Sequence, residues 1–142
     1  MNNKSILIGM ISLLLLTQTR VVHAELVVIA NAHVSFNSLA QGELRRIFLG
    51  QTGKFPNGEK AEPLDVSGDF RNAFYEFILK KSSTQIENYW ASMIFTGKAM
   101  PPRQLQPHAV KQAVTSSTRA ISYIDRSQVD SSVKVISIVS DK

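Results

Sequence analysis

Two rhythms of apolar residues follow one another along this chain, and their alternation predicts its elements. Leu26-Val27-Val28-Ile29-Ala30 is a continuous apolar run rich in β-branched residues, the pattern of a strand covered on both faces. The spacing then changes. Leu44, Ile47 and Phe48 recur at helical intervals, Arg45 and Arg46 fall on the outer side, and Gly50 supplies a left-handed stop. Ser38 followed three residues later by Gln41 fits a capping box opening that helix. From Gly50 to Glu62 the chain is punctuated by Gly53, Pro56 and Gly58 and reads as a surface loop. Ala61 to Val66 forms a second strand, with Pro63 favouring an edge or a strand start.

Helical spacing returns from about Phe70 to Lys80, with Ala73, Phe74, Phe77 and Ile78 facing inward. A further helix begins after Ser82 or Ser83 and buries Ile86, Tyr89, Trp90, Met93 and Ile94. That aromatic stripe reads as core, with Trp90 a packing residue and not a stacking platform. Gly97 stops the helix, and Pro101-Pro102 hold the next loop extended. Pro107 to Ser116 suits a last helix with proline in its first turn. Ala120 to Ile124 and Val133 to Ile138 close the chain as strands. Strands interleaved with helices, without repeats or a linker, predict an α/β fold, a small sheet covered by helices.

The first residues carry a different signal. Lys4 precedes an apolar run from Ile6 to Leu16, and Val22-His23-Ala24 offers small residues where a signal peptidase reads. The run is shorter than the roughly 20 residues a transmembrane helix needs. Residues 1–24 therefore read as a signal peptide, an uncleaved anchor being the alternative. Glu25 is then the first mature residue, 25–142 a single domain, and the expected address periplasmic.

Composition narrows the chemistry. The chain has no cysteine, which excludes disulfides, thiol catalysis and thiolate metal sites. Loss of Lys4 and Arg20 lowers the net charge from +5 to +3, and the remaining cations are dispersed. Dispersed charge fits solvated helix faces and excludes a nucleic-acid footprint. His33 and His108 are far apart in sequence and lack partners at metal spacing. No nucleophile elbow and no phosphate-binding glycine loop of the P-loop type occurs, so neither an enzyme nor a cofactor is expected.

Several stretches taken together resemble the phosphate-type periplasmic solute-binding proteins of ABC transporters. They are Glu43-Leu44-Arg45-Arg46-Ile47-Phe48-Leu49-Gly50, Lys54-Phe55-Pro56-Asn57-Gly58, Tyr89-Trp90, Ile94-Phe95-Thr96-Gly97-Lys98, Pro101-Pro102 and Ala120-Ile121-Ser122-Tyr123-Ile124. The resemblance implies one lobe of a type II periplasmic-binding-protein-like fold, with a small mixed sheet flanked by helices. In that family two lobes enclose the ligand, whereas this chain has room for one. It further implies a non-catalytic domain that binds phosphate or another small oxyanion. The competing expectation is a structural or interaction module of the cell envelope that has lost its ligand, with an envelope protein or a second copy as partner.

The turn Asp65-Val66-Ser67-Gly68-Asp69-Phe70-Arg71 is the first candidate site. A helix start presents unpaired N–H groups to an oxyanion. Gly68 permits close approach, the Ser67 hydroxyl can donate, and Arg71 can clamp phosphate or carboxylate with its planar fork. The family's corresponding loop is of the Ser-Asp-Gly-Ser-Gly-Thr type. Here Ser67-Gly68 remains and the following threonine is replaced by Asp69-Phe70. Asp69 can alternatively cap its own helix and repel a dianion. Asp65 reads as a solvated residue at a strand end, or as an acceptor for a protonated oxyanion. Ser35, in the loop after the first strand, is a further candidate donor, against which stands a helix-capping role for Asn37 and Ser38. The turn from Thr115 to Tyr123 lacks the family's glycines and receives no ligand.

Overall fold

The computed structural model describes residues 25–140, and the expected signal peptide lies outside them. Strand β1 spans Leu26–Asn31, and all six of its residues are buried. Side chains alternate between the two faces of a strand, so complete burial means that both faces of the sheet are covered here. Helix α1 follows at Gln41–Phe48, β2 at Glu62–Val66 and α2 at Asp69–Phe74. The chain continues from α2 into a wider π turn, Tyr75–Leu79. Helix α3 is Ser83–Phe95, β3 Arg103–Leu105, α4 Pro107–Thr115, β4 Ala120–Asp125 and β5 Val133–Val139. These elements realise the expected α/β class.

The five strands form one mixed sheet in the order β3-β2-β4-β1-β5. Strand β2 runs parallel to β3 and β4, whereas β1 runs antiparallel to β4 and β5. Glu62 stands opposite Ala120 at the start of β2, and Leu26 opposite Asp125 at the end of β4. The carboxyl ends of β1 and β2 consequently lie at opposite ends of the sheet.

Local chemistry moved several boundaries. Neither Ser38 nor Asn37 caps α1. Leu39 is buried and its N–H bonds the Ile136 carbonyl at 3.1 Å, which holds the chain extended until Ala40. The Glu43 carboxylate accepts the Ala40 N–H at 2.8 Å instead. Pro63 sits in an interior strand, just before the stretch Leu64–Val66 that pairs with β3. The missing N–H of Pro63 therefore falls at the strand's start. Residues 103–105, expected as an extended loop, form β3 beside β2. Helix α3 begins after Ser82, as expected, and Ser82 Oγ accepts the Gln85 N–H while Gln85 Oε1 accepts the Ser82 N–H.

Trp90 is a core residue, as its spacing predicts. It packs against Gly50, whose φ of 66° favours glycine and whose close neighbours would crowd a side chain. Ile94 departs from the expectation and is 48% exposed. The last turn of α3 runs past the edge of the core, so the stripe ends with Met93.

Candidate functional site

The Ser67–Arg71 turn is built around a buried carboxylate. Asp65 is the last residue but one of β2 and is buried, although its sequence position suggested a solvated residue. Both of its oxygens are taken. Oδ2 accepts Nε of Arg71 at 2.7 Å and the hydroxyl of Tyr75 at 2.7 Å. Oδ1 accepts the hydroxyl of Tyr123 and the N–H of Val66, the latter at 3.0 Å. Four donors saturate a carboxylate of this geometry. Asp65 is accordingly a positioning group and has no lone pair left for a ligand's proton.

Each donor arrives from a different element. Tyr123 comes from β4, its ring stacked on Phe74 with centroids 4.1 Å apart and planes 9° from parallel. Phe74 in turn meets Phe48 of α1 edge-on at 4.6 Å. Tyr75 opens the π turn, and the Arg71 guanidinium lies 4.7 Å over its ring. A π turn shifts the angular position of the residues it contains, and such turns recur at functional sites.

Charge and burial reinforce the arrangement. Burial, together with Asp65 alongside, pushes the ionisation of Tyr75 and Tyr123 well above the ordinary tyrosine range. Both phenols therefore stay neutral donors. Burial alone would weaken the charge on Arg71, but its hydrogen bond and attraction to Asp65 outweigh that and hold it firmly cationic. The Arg71 side chain remains 33% exposed. Its bond to Asp65 uses Nε, and among the described residues its two terminal nitrogens find no hydrogen-bond acceptor.

The turn itself is open. Gly68 stands at the N-cap of α2 with φ 100° and ψ −164°, and nothing lies within 4 Å of where a Cβ would project. That φ favours glycine, and the empty space admits a close neighbour. No side chain caps α2. Asp69 occupies the first helical position, exposed, and does not act as the expected cap. Ser67 donates its N–H to Leu105 at 2.9 Å and its hydroxyl to Gln106 Oε1 at 3.1 Å, which ties the turn to β3 and to the residue before α4.

Ser67, Gly68 and Arg71 are thus brought together, with the Ser67 hydroxyl already engaged. Ser35 is not part of this cluster. It follows β1 at the opposite end of the sheet, where its Oγ accepts Nδ2 of Asn57 at 2.9 Å. The loop after β1 is instead fastened by Asn31, which donates to the carbonyls of Val114 and Thr115 at 3.1 Å each. Tyr75 and Tyr123 escaped the sequence reading as site residues. Both occur inside apolar patterns, and nothing local distinguishes a tyrosine that packs from one that also donates.

The sequence matches no family model and no curated protein. The fold does match solved structures. One is a protein assigned as a phosphate ABC transporter substrate-binding protein with bound phosphate from Clostridium perfringens, at a TM-score of 0.63 and 17% identity over 79% of this chain and 44% of that one. Another is an ABC-type phosphate transport receptor from Vibrio cholerae, at 0.61 and 18% over 79% and 45%. A third is PstS from Borrelia burgdorferi, at 0.58 and 11% over 80% and 46%. Identities this low establish the fold alone. This chain spans less than half of each of those proteins, and its five-stranded mixed sheet with flanking helices is one lobe of a periplasmic-binding-protein-like fold.

Proposed function

We propose that this chain is a non-catalytic solute-binding domain that holds a small oxyanion, phosphate foremost, at the Gly68–Arg71 turn. The observation that carries the reading is the placement of Arg71. Asp65 holds its Nε, which leaves the terminal nitrogens without an acceptor among the described residues, three residues after Gly68, where α2 starts without a side-chain cap and with open space around the glycine. A guanidinium fork and unpaired backbone N–H groups suit the tetrahedral oxygens of phosphate. Support also comes from the similar fold of a protein solved with phosphate bound.

The described lobe supplies one wall of a cleft, and the remaining contacts lie outside it. An affinity in the range of roughly micromolar to millimolar follows, equivalent to about 4–8 kcal/mol. Export through cleavage after Ala24 belongs to the same proposal. Intact-mass measurement of the periplasmic fraction tests it, and a species retaining residues 1–24 would refute it.

Titration calorimetry with phosphate, against chloride at matched ionic strength, tests the binding. Arg71→Lys is the informative variant, because a lysine retains a cation for Asp65 but loses the fork. Heat with phosphate in the wild type and none in Arg71→Lys is the expected result. Equal, salt-like responses in both proteins would leave the turn a structural element and favour an envelope interaction module.

A further inference from the structure

The end of α3 carries apolar side chains that the core does not use. Phe95 is 93% exposed, Met100 72% and Ile94 48%. All three fall within seven residues around one turn, where Gly97 reverses the chain with φ 67°. Apolar residues scattered singly over a surface need no explanation, but a cluster rimmed by charge does.

The segment that carries the tip is of one sign. Between Glu87 and Asp125 the chain has no acidic residue, while Lys98 and Arg103 flank the tip in sequence. Two carboxylates border the tip. Glu62 lies 4.0 Å from Arg103, and Glu87 sits about two turns back along α3. Among the described residues Lys98 pairs with no carboxylate.

We propose that this tip inserts into an anionic lipid surface. Ile94, Phe95 and Met100 enter the boundary between headgroups and acyl chains, and Lys98 and Arg103 meet the lipid phosphates. Shape favours a lipid surface over an acidic peptide. Beside the tip lies a shallow cavity of about 260 Å³ lined by Ile47, Trp90, Met100 and Pro101 among others, and neither Ile94 nor Phe95 lines it. A peptide in that cavity would leave the most exposed side chain idle, whereas a bilayer needs only groups that protrude. No helix among the described residues is long and apolar enough to cross a membrane, so the proposed contact is peripheral.

Because the chain has no cysteine, a single introduced thiol is unique. Met100→Cys, labelled with an environment-sensitive fluorophore and retaining Phe95, is mixed with vesicles of phosphatidylcholine alone or with added phosphatidylglycerol. A blue shift on the anionic vesicles only is expected. Phe95→Ser on that background should weaken the response roughly tenfold. Lys98→Glu or added salt should weaken it roughly tenfold as well. The control label is placed at Ser127→Cys, beyond the end of β4 and at the opposite end of the sheet. An equal shift at that site would assign the association elsewhere and overturn the proposal. So would a label that stays in water on both vesicles, indifference to Phe95→Ser, or a shift produced by a polyglutamate peptide and not by vesicles.

Discussion

Arg71 reaches back six residues to donate Nε to Oδ2 of Asp65 at 2.7 Å, the carboxylate sealed in the core and the guanidinium one-third open to water. This pair joins stability to function in one contact. The buried end anchors β2, α2 and β4 through Tyr75 and Tyr123, and the open end is the group proposed to meet the anion. A change at Asp65 therefore acts first on folding, and a change at the Arg71 fork acts first on binding.

Asp65→Ala should be among the most damaging single substitutions in the chain. It strands one guanidinium N–H and two phenol hydroxyls in a region that excludes water, at a cost of about 3–5 kcal/mol. Tyr123→Phe removes one donor while leaving the stacked ring, and should cost about 1–2 kcal/mol. Urea unfolding measures both. If Asp65→Ala shifted stability by less than Tyr123→Phe, the carboxylate would not organise the cluster.

Alkali should unfold the protein through the same groups. Burial and the neighbouring carboxylate raise the ionisation of Tyr75 and Tyr123 above the ordinary value of 10.0. The folded chain thus binds these protons more tightly than the unfolded chain. Their stabilisation is complete below pH 10 and is lost as pH rises toward the higher folded values. Tyrosinate absorbance followed together with circular dichroism should show both phenols ionising only as structure is lost. Tyr75→Phe and Tyr123→Phe should each remove one such late step. Ionisation of either phenol near pH 10 with the fold intact would contradict this account.

Gly50 and Trp90 should prove energetically coupled. Trp90→Ala opens a cavity in the core and should cost about 3–5 kcal/mol. Gly50→Ala places a side chain at positive φ, with a cost of roughly 1–2 kcal/mol from the backbone alone. Its Cβ would also stand 3.0 Å from the Ala99 Cβ and 3.3 Å from the Trp90 ring. Removal of the indole relieves part of that crowding, so the double variant should be more stable than the sum of the two singles predicts. Strict additivity in urea titrations would mean that the Gly50 cost comes from the backbone and Ala99 and not from the indole.

Apolar periodicity revealed the elements because burial imposes it. Leu26 to Ala30, Leu44-Ile47-Phe48 and the Ile86-Trp90-Met93 stripe all sit where their spacing puts them. Pairing across the sheet left no such trace. Residues 103–105 became a strand because β2 offers them a partner, and Ser35 lies away from Ser67 because β1 and β2 run in opposite directions, which local sequence does not show. The anchoring of Arg71 was hidden for a similar reason. Tyr123 lies 58 residues from Asp65, and its hydroxyl is invisible in a run whose other members simply pack.

Asp69 supplies the sharpest test of the anion site, because its two effects have opposite signs. At the first position of α2 its carboxylate complements the helix dipole, so Asp69→Asn should cost about 0.3–1 kcal/mol of stability. The same carboxylate repels an anion approaching Gly68 and Arg71. Its removal should therefore tighten phosphate binding roughly two- to fivefold, if the repulsion is of similar size. A protein that melts earlier alone and gains more from phosphate is the expected outcome, since at a given concentration a ligand that binds the folded state more tightly stabilises it more. Chloride at matched ionic strength should screen the charge without reproducing the gain. A variant that loses stability and shows no change, or a loss, in phosphate affinity would place the anion away from this helix start.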